Sequence, residues 1–145
     1  MSAVSIDLSK MEVLVDRLEE YLTSDIDELL LSIGEMLVKR VVERIKDGKE
    51  TPSGAPWEMW AESTARYRER KGNASQGILW DNGNLWESIR AELRGQSVAV
   101  GSELNYARYI QDGTKNMPAR EFLGFGAAEV DEIGSMVGDF IRSAG

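Results

Sequence analysis

One stripe constrains this chain more than any other feature. Ile26, Leu30, Ile33, Leu37, Val41 and Ile45 recur three or four residues apart, the spacing of a helix with a single apolar face. Asp25 is followed by Asp27 and Glu28, acids that suit the positive end of a helix dipole. Gly48 offers a stop, as glycine often does just past a helix end. The spacing predicts a helix of about 22 residues, roughly 33 Å long. So long and one-sided an element must bury its stripe against other secondary structure. Gly34 lies inside it. A glycine there costs about 1 kcal/mol relative to alanine, so a neighbour is expected to approach closely at that point. Lys39, Arg40, Arg44 and Lys46 gather toward the C-terminal half.

Before this helix the sequence suggests another. Ser9 and Glu12 have the spacing of a capping box, and Met11, Leu14, Val15, Leu18 and Leu22 follow at helical intervals. After it the texture changes. Thr51-Pro52-Ser53-Gly54-Ala55-Pro56 reads as a loop. Trp57 to Arg70 is expected to include a short helix capped by Ser63 or Thr64, and Lys71 to Gly77 forms a second loop. Asp81-Asn82-Gly83-Asn84 is a turn. From there Leu85, Glu87, Ile89, Ala91 and Leu93 alternate with Trp86, Ser88, Arg90, Glu92 and Arg94, which predicts a half-buried strand. Arg94 to Ser97 turns the chain and Val98 to Gly101 returns as a second strand. Leu104 to Gln111 suits a helical turn with Tyr106, Ala107 and Ile110 facing inward. Asp112-Gly113-Thr114 and Asn116-Met117-Pro118 form an exposed loop, and Phe122, Leu123 and Phe125 an apolar anchor. Val130, Ile133, Val137, Phe140 and Ile141 predict a C-terminal helix.

The expected fold is therefore α+β: two N-terminal helices with the second long, a small antiparallel sheet or hairpin, a C-terminal helix and long loops. A length of 145 residues suits one domain, which buries about 70% of its extended surface. Within 1–145, residues 1–50 are read as the helical part and 51–83 as a loop-rich tryptophan segment. Residues 84–125 are read as hairpin and connector loop, and 126–145 as the last helix.

Composition narrows the chemistry. The chain has no histidine and no cysteine. A Ser-His-Asp or Cys-His nucleophile, a His/Cys zinc site and a disulfide framework are all excluded. The formal charge is −8, and residues 1–35 alone hold nine acids against two bases. A chain of this charge is not steered toward nucleic acid as a whole. Met1 to Asp7 lacks a basic, apolar targeting pattern. The apolar run Leu29 to Leu31 is far too short for a bilayer span, so a soluble protein away from membranes is expected.

Three constellations stand out. The four tryptophans, Trp57, Trp60, Trp80 and Trp86, fall in one segment; they could anchor core and loops, form an interface or stack a ligand. Arg66, Tyr67, Arg68, Arg70 and Lys71 form a basic run. It reads either as a solvated helix face diluted by Glu62 and Glu69 or as a nucleic-acid contact. Asp81, Glu87 and Glu92 lie near the tryptophans, but Glu87 and Glu92 are five apart on a strand and so point to opposite faces. No acid–base pair is indicated. The expectation is no enzyme, no cofactor and no metal.

Five blocks, in order, resemble the phage virion morphogenesis family, the tail-completion and neck proteins of Mu-like and P2-like contractile-tailed phages. Thr51-Pro52-Ser53-Gly54-Ala55-Pro56-Trp57 resembles its T-P-x-G-x-x-W segment. Ile78-Leu79, Asn82-Gly83-Asn84-Leu85 and Ser88-Ile89 are similar to its I-L-x-x-x-G-x-L-x-x-S stretch. Val98-Ala99-Val100-Gly101-Ser102 resembles its V-x-V-G-S strand end. Tyr106-Ala107 through Gln111 and Gly113 resembles its Y-A-x-x-x-Q-x-G element, and Pro118-Ala119-Arg120-Glu121-Phe122-Leu123-Gly124 its P-A-R-x-F-L-G element. Ile110 stands where many members have histidine. Asp112-Gly113-Thr114 leans toward the broader group of small head–tail connector proteins.

The resemblance implies a structural protein of a tailed phage or prophage. It would act as a tail terminator or head–tail joining protein, assembled as a homo-oligomeric ring. Its partners would be the tail tube, tail or neck and connector proteins. DNA would pass through without tight binding, and an acidic face from Asp16 to Glu35 would repel it. The subunit would occupy the host cytoplasm during assembly and the virion afterwards. Trp57, Trp86, Arg90, Tyr106, Arg108, Tyr109, Gln111, Met117, Arg120 and Phe122 are the candidate interface, rich in the aromatic, Met and Arg types that interfaces favour. The alternative is a nucleic-acid-binding accessory protein using Arg66, Arg68, Arg70 and Lys71.

Overall fold

A computed structural model describes residues 3–7, 12–16 and 23–144. The elements in chain order are β1 (Ala3–Asp7), β2 (Glu12–Asp16), α1 (Thr23–Asp47), α2 (Glu62–Lys71) and α3 (Asn84–Glu87). They continue with β3 (Arg90–Arg94), β4 (Ser97–Gly101), α4 (Ala107–Asp112) and α5 (Ala127–Ala144).

The stripe builds α1, whose 25 residues span about 37 Å. Ile26, Leu30, Ile33, Leu37, Val41 and Ile45 are all buried and form the centre of the core. The helix lies on β3 and β4. Gly34 is the point of closest approach: a Cβ there would stand 2.8 Å from Ala91 Cβ and 2.8 Å from Val98 Cγ2. The missing side chain lets the helix sit directly on the sheet.

The sheet is antiparallel throughout, with strand order β1-β2-β4-β3. The hairpin expected from Leu85 to Gly101 is its β3–β4 half, which runs from Arg90 to Gly101. The other half corrects the expectation of a first helix. Glu12 to Asp16 is a strand, pairing Val13 with Val98 and Leu14 with Ser97, and β1 pairs with it in turn. Met11, Leu14 and Val15 fit a helical spacing, but Leu14 and Val15 also sit in a short continuous apolar run, Val13-Leu14-Val15, flanked by Glu12 and Asp16. Periodicity alone does not separate the two readings over so short a stretch. Here β4 offers an edge to pair with, and a two-stranded hairpin alone is only marginally stable. Ser9, Met11, Leu18 and Leu22 lie outside the described residues.

The expected strand from Leu85 is likewise shortened. Asn84–Glu87 makes one helical turn and the strand begins at Arg90. Leu85 and Ile89, four apart, are both buried, so the segment satisfies helical and strand spacing at once. The α2 helix starts after Ala61 with no side-chain cap, so Ser63 and Thr64 fall within its first turn. Tyr106 is exposed rather than inward, while Ala107 is buried. Val130 of α5 is exposed, whereas Ile133 and Val137 enter the core.

α5 packs on α1, and charge helps seat it. Arg44 donates to Glu129 at 2.6 Å and to the Phe122 carbonyl at 2.9 Å. Both side chains of that ion pair are largely buried. Arg40 reaches Glu132 at 2.5 Å, and this hydrogen-bonded carboxylate raises the Arg40 pKa.

Candidate assembly interface

The loops that surround the core are tied to one another by side chains drawn from the five sequence blocks. The 51–57 loop closes on itself through Thr51, whose amide donates to the Ala55 carbonyl and whose Oγ1 accepts from the Ala55 amide. It then docks against 118–126. Trp57 is buried and its Nε1 donates to the Glu121 carbonyl at 2.8 Å. Arg120 grips the following turn, donating from Nε to the Glu58 carbonyl at 2.8 Å and from Nη2 to that of Met59 at 3.0 Å. Burial lowers the Arg120 pKa, although arginine stays protonated in proteins.

Gln111 ties α4 to the same segment. Its Oε1 accepts from the Phe122 and Leu123 amides at 3.0 Å each, and its Nε2 donates to the Leu123 carbonyl at 2.9 Å. Phe122 is fully buried beneath. Gly113 follows α4 at φ 77°, and a Cβ there would lie 2.7 Å from the Ala119 nitrogen, so only glycine lets the two segments close. The remaining blocks also meet. Ser88 and Ser102 share a 2.6 Å hydrogen bond across the start of β3 and the end of β4.

The basic run is held similarly. Arg68 is buried, with Nη1 2.5 Å from the Trp80 carbonyl and Nη2 3.1 Å from that of Ile78. Its guanidinium lies 4.5 Å from the Trp60 ring centre, and burial lowers its pKa. Lys71 donates to Asp81 Oδ1 at 2.9 Å, as does Asn73 at 2.8 Å, and Tyr67 donates to Oδ2 at 3.3 Å. The Lys71 hydrogen bond is the main reason the Asp81 carboxyl titrates below its usual range. Arg66 pairs with Glu62 at 3.0 Å on the exposed helix face, and Arg70 is exposed. The tryptophans divide likewise. Trp60 donates to the Ile78 carbonyl at 2.9 Å. Trp80 and Trp86 meet edge to face at 6.3 Å, with Lys46 Nζ 3.9 Å from the Trp86 ring centre.

The candidate interface residues thus separate into two groups. Trp57 and Phe122 lie inside, and half-buried Gln111 joins them in holding the loops. Arg120 and half-buried Trp86 lie between inside and outside. Tyr106, Arg108, Tyr109 and Arg90 are exposed, and Met117 is half-buried. Tyr106, Arg108 and Tyr109 sit together on and beside α4. Met117 lines a groove of about 320 Å³ with Tyr67, Arg68, Asp81, Ile110 and Arg120. Burial, and then the Asp81 charge, raise the Tyr106 pKa. Arg90 is remote from α4 in the chain, on the β3 edge. Met59, 63% exposed beside the Arg120 clamp, was missed by sequence reasoning, because a lone methionine in a loop carries no periodic signal. Among the described residues no helix is long and apolar enough to cross a membrane, and no group of three acidic side chains is placed to hold a metal ion.

Loop motifs bonded to one another over a packed α+β base, with tyrosines, arginines and methionine turned outward, make a rigid packing subunit. The class is that of a structural, assembly protein. The chain belongs to the phage virion morphogenesis family, whose sequence profile matches residues 6–141. It is also 30% identical over 98 residues, covering 67% of each chain, to the Mu-like prophage FluMu G protein 1 of Haemophilus influenzae. No solved structure matches it. Its role is accordingly in building a phage virion, of which it is a component.

Proposed function

We propose that this chain completes or terminates the tail, or joins tail to head, as an oligomeric ring. The observation that carries this reading is the interlocked loop layer. Gln111 and Arg120 fix the backbone from both sides, and the exposed Tyr106, Arg108 and Tyr109 stand on that fixed base. Aromatic and arginine side chains on a preorganised surface bind with little ordering cost. The partners are the tail tube end and neck or connector proteins. Subunits are made in the host cytoplasm and add to the growing particle there.

DNA passes through such a ring without being gripped. The acid-rich segment from Asp16 to Glu35 includes Asp25 and Glu28, exposed on the first turns of α1, and a negative lumen repels phosphate. The alternative, a nucleic-acid contact through Arg66, Arg68, Arg70 and Lys71, draws less support. Arg68 is buried in carbonyl contacts, and Lys71 and Arg66 each face a carboxylate.

The test is native mass by light scattering together with electron microscopy of the purified chain. Rings with an open centre are expected. A monomer that shifts DNA mobility with a steep salt dependence would favour the alternative.

A further inference from the structure

Among the described residues, the four-stranded sheet has two free edges, β1 and β3. We propose that these edges pair between copies: β1 of one protomer adds to β3 of the next, and the ring is built on one continuous antiparallel sheet. This rests on the ring reading and names the surface that closes it.

Strand direction permits the joint. Each pairing within the sheet is antiparallel, so direction alternates across the order β1-β2-β4-β3. The two edge strands therefore run opposite to each other, and a β1–β3 joint between copies is antiparallel again. A free edge presents unpaired backbone N–H and C=O groups, which a strand from another chain satisfies. The two edges are different surfaces, so the contact is heterologous, the kind that closes into rings when its rotation allows.

Residue types match in the blunt register. Ala3 to Asp7 laid antiparallel on Arg90 to Arg94 places Val4 opposite Leu93, Ile6 opposite Ala91 and Asp7 opposite Arg90. Leu93 and Ala91 are half-buried and Arg90 is exposed. Apolar residues thus meet apolar residues, and an acid meets a base, the cross-strand pairs that stabilise sheets. Within each protomer Ile6, Val13, Val98 and Leu93 already share one row of the sheet. The blunt joint continues that pattern across the boundary.

A second observation locates the seat. α1 packs on β3 and β4, the half of the sheet away from β1. Leu31, Glu35 and Val38 of α1 form a groove of about 420 Å³ with Ile89, Arg90 and Ala91. Leu31 is 42% exposed in the protomer. A strand added to β3 would lie along that groove, beside Leu31 and Val38. The edge charges agree: β1 holds one acid and no base, whereas β3 holds two arginines and one glutamate.

The test uses charge reversal in the full chain. Arg90→Glu and Asp7→Arg should each raise the protein concentration at which monomer becomes ring by about tenfold. The double variant should return toward the parent. Circular dichroism melts show whether each variant is folded. The chain has no cysteine, so Asp7→Cys combined with Arg90→Cys should cross-link oxidised rings into ladders beyond the dimer, as neither single variant can. Rings that form at the parental concentration in both reversals, and give no ladder, overturn the edge pairing and leave the ring reading standing. Loss of tail binding in Arg90→Glu with the oligomer unchanged also overturns it, because the edge then serves another protein. A chain monomeric up to its highest soluble concentration defeats both readings.

Discussion

The substitution Gly34→Ala sets two known effects against each other inside one helix. Alanine in place of glycine in a helix interior gains about 1 kcal/mol from backbone entropy. At Gly34 the new Cβ would stand 2.8 Å from Ala91 Cβ and 2.8 Å from Val98 Cγ2, against an optimum of about 3.5–4.0 Å for carbon pairs. The Ala91 carbon is fixed to the β3 backbone, so relief requires α1 and the sheet to move apart. Overpacking of this kind costs about 1–3 kcal/mol. Because α1 buries its whole stripe on that seat, the upper part of the range applies. A net loss of about 1–2 kcal/mol follows, or roughly 3–6 °C in melting temperature for a chain of this size. Gly134 in α5 is the control, since a Cβ there meets nothing within 4 Å; Gly134→Ala should gain up to about 1 kcal/mol. In an Ala91→Gly background the cost of Gly34→Ala should shrink by about 1 kcal/mol, a coupling read from a double-mutant cycle. Urea denaturation measures all of these. If Gly34→Ala is as stabilising as Gly134→Ala, the helix does not seat on the sheet this closely and the packing argument is wrong.

Other perturbations separate holding the fold from joining the particle. Gln111→Ala removes three hydrogen bonds to the 122–123 backbone and should cost about 2–3 kcal/mol; an unchanged urea midpoint would refute its role as a tie. Arg120→Ala frees the Glu58 and Met59 carbonyls and should cost about 1–3 kcal/mol, with faster proteolysis at 51–60; equal cleavage rates would count against the clamp. Tyr106→Ala and Tyr109→Ala should leave the melting temperature within about 2 °C, since both side chains are exposed, while lowering the yield of joined particles. Parental yield in both would remove α4 from the interface. The Asp81 carboxyl is depressed in the folded state, mainly by Lys71. Its stabilisation is therefore complete above the unfolded pKa and lost as pH falls through the folded one. Stability should drop on acidification below about pH 4, and less so in Asp81→Asn; identical pH profiles would refute the linkage.

Much of the architecture was legible where a pattern ran long enough to be unambiguous. The α1 stripe spans six apolar positions, and only a helix buries them all on one side. Gly34 was legible as a close approach because its helix penalty needs a reason. The β3–β4 hairpin was legible from alternation and from the turn at Gly95. By contrast, Glu12–Asp16 offers only five residues, and their apolar positions fit two periods. What decides it is pairing with β4, far along the chain, which local spacing does not contain. Asn84–Glu87 fails to read as helix for the same reason. At the site, residue type alone did not distinguish Tyr106 on the surface from Phe122 in the core. Sequence could identify Gln111 and Arg120 as parts of motifs. That both work by bonding loop carbonyls and amides depends on chain segments brought together only in the fold.

The central claim is that this chain forms a ring at the end of the tail or in the neck. Electron cryomicroscopy of the head–tail junction in intact virions tests it most directly. The expected result is density for this domain repeated around the axis at that junction, with a central opening wide enough for DNA. Virions whose junction lacks it, with the chain found on capsid, fibre or baseplate, would contradict the account.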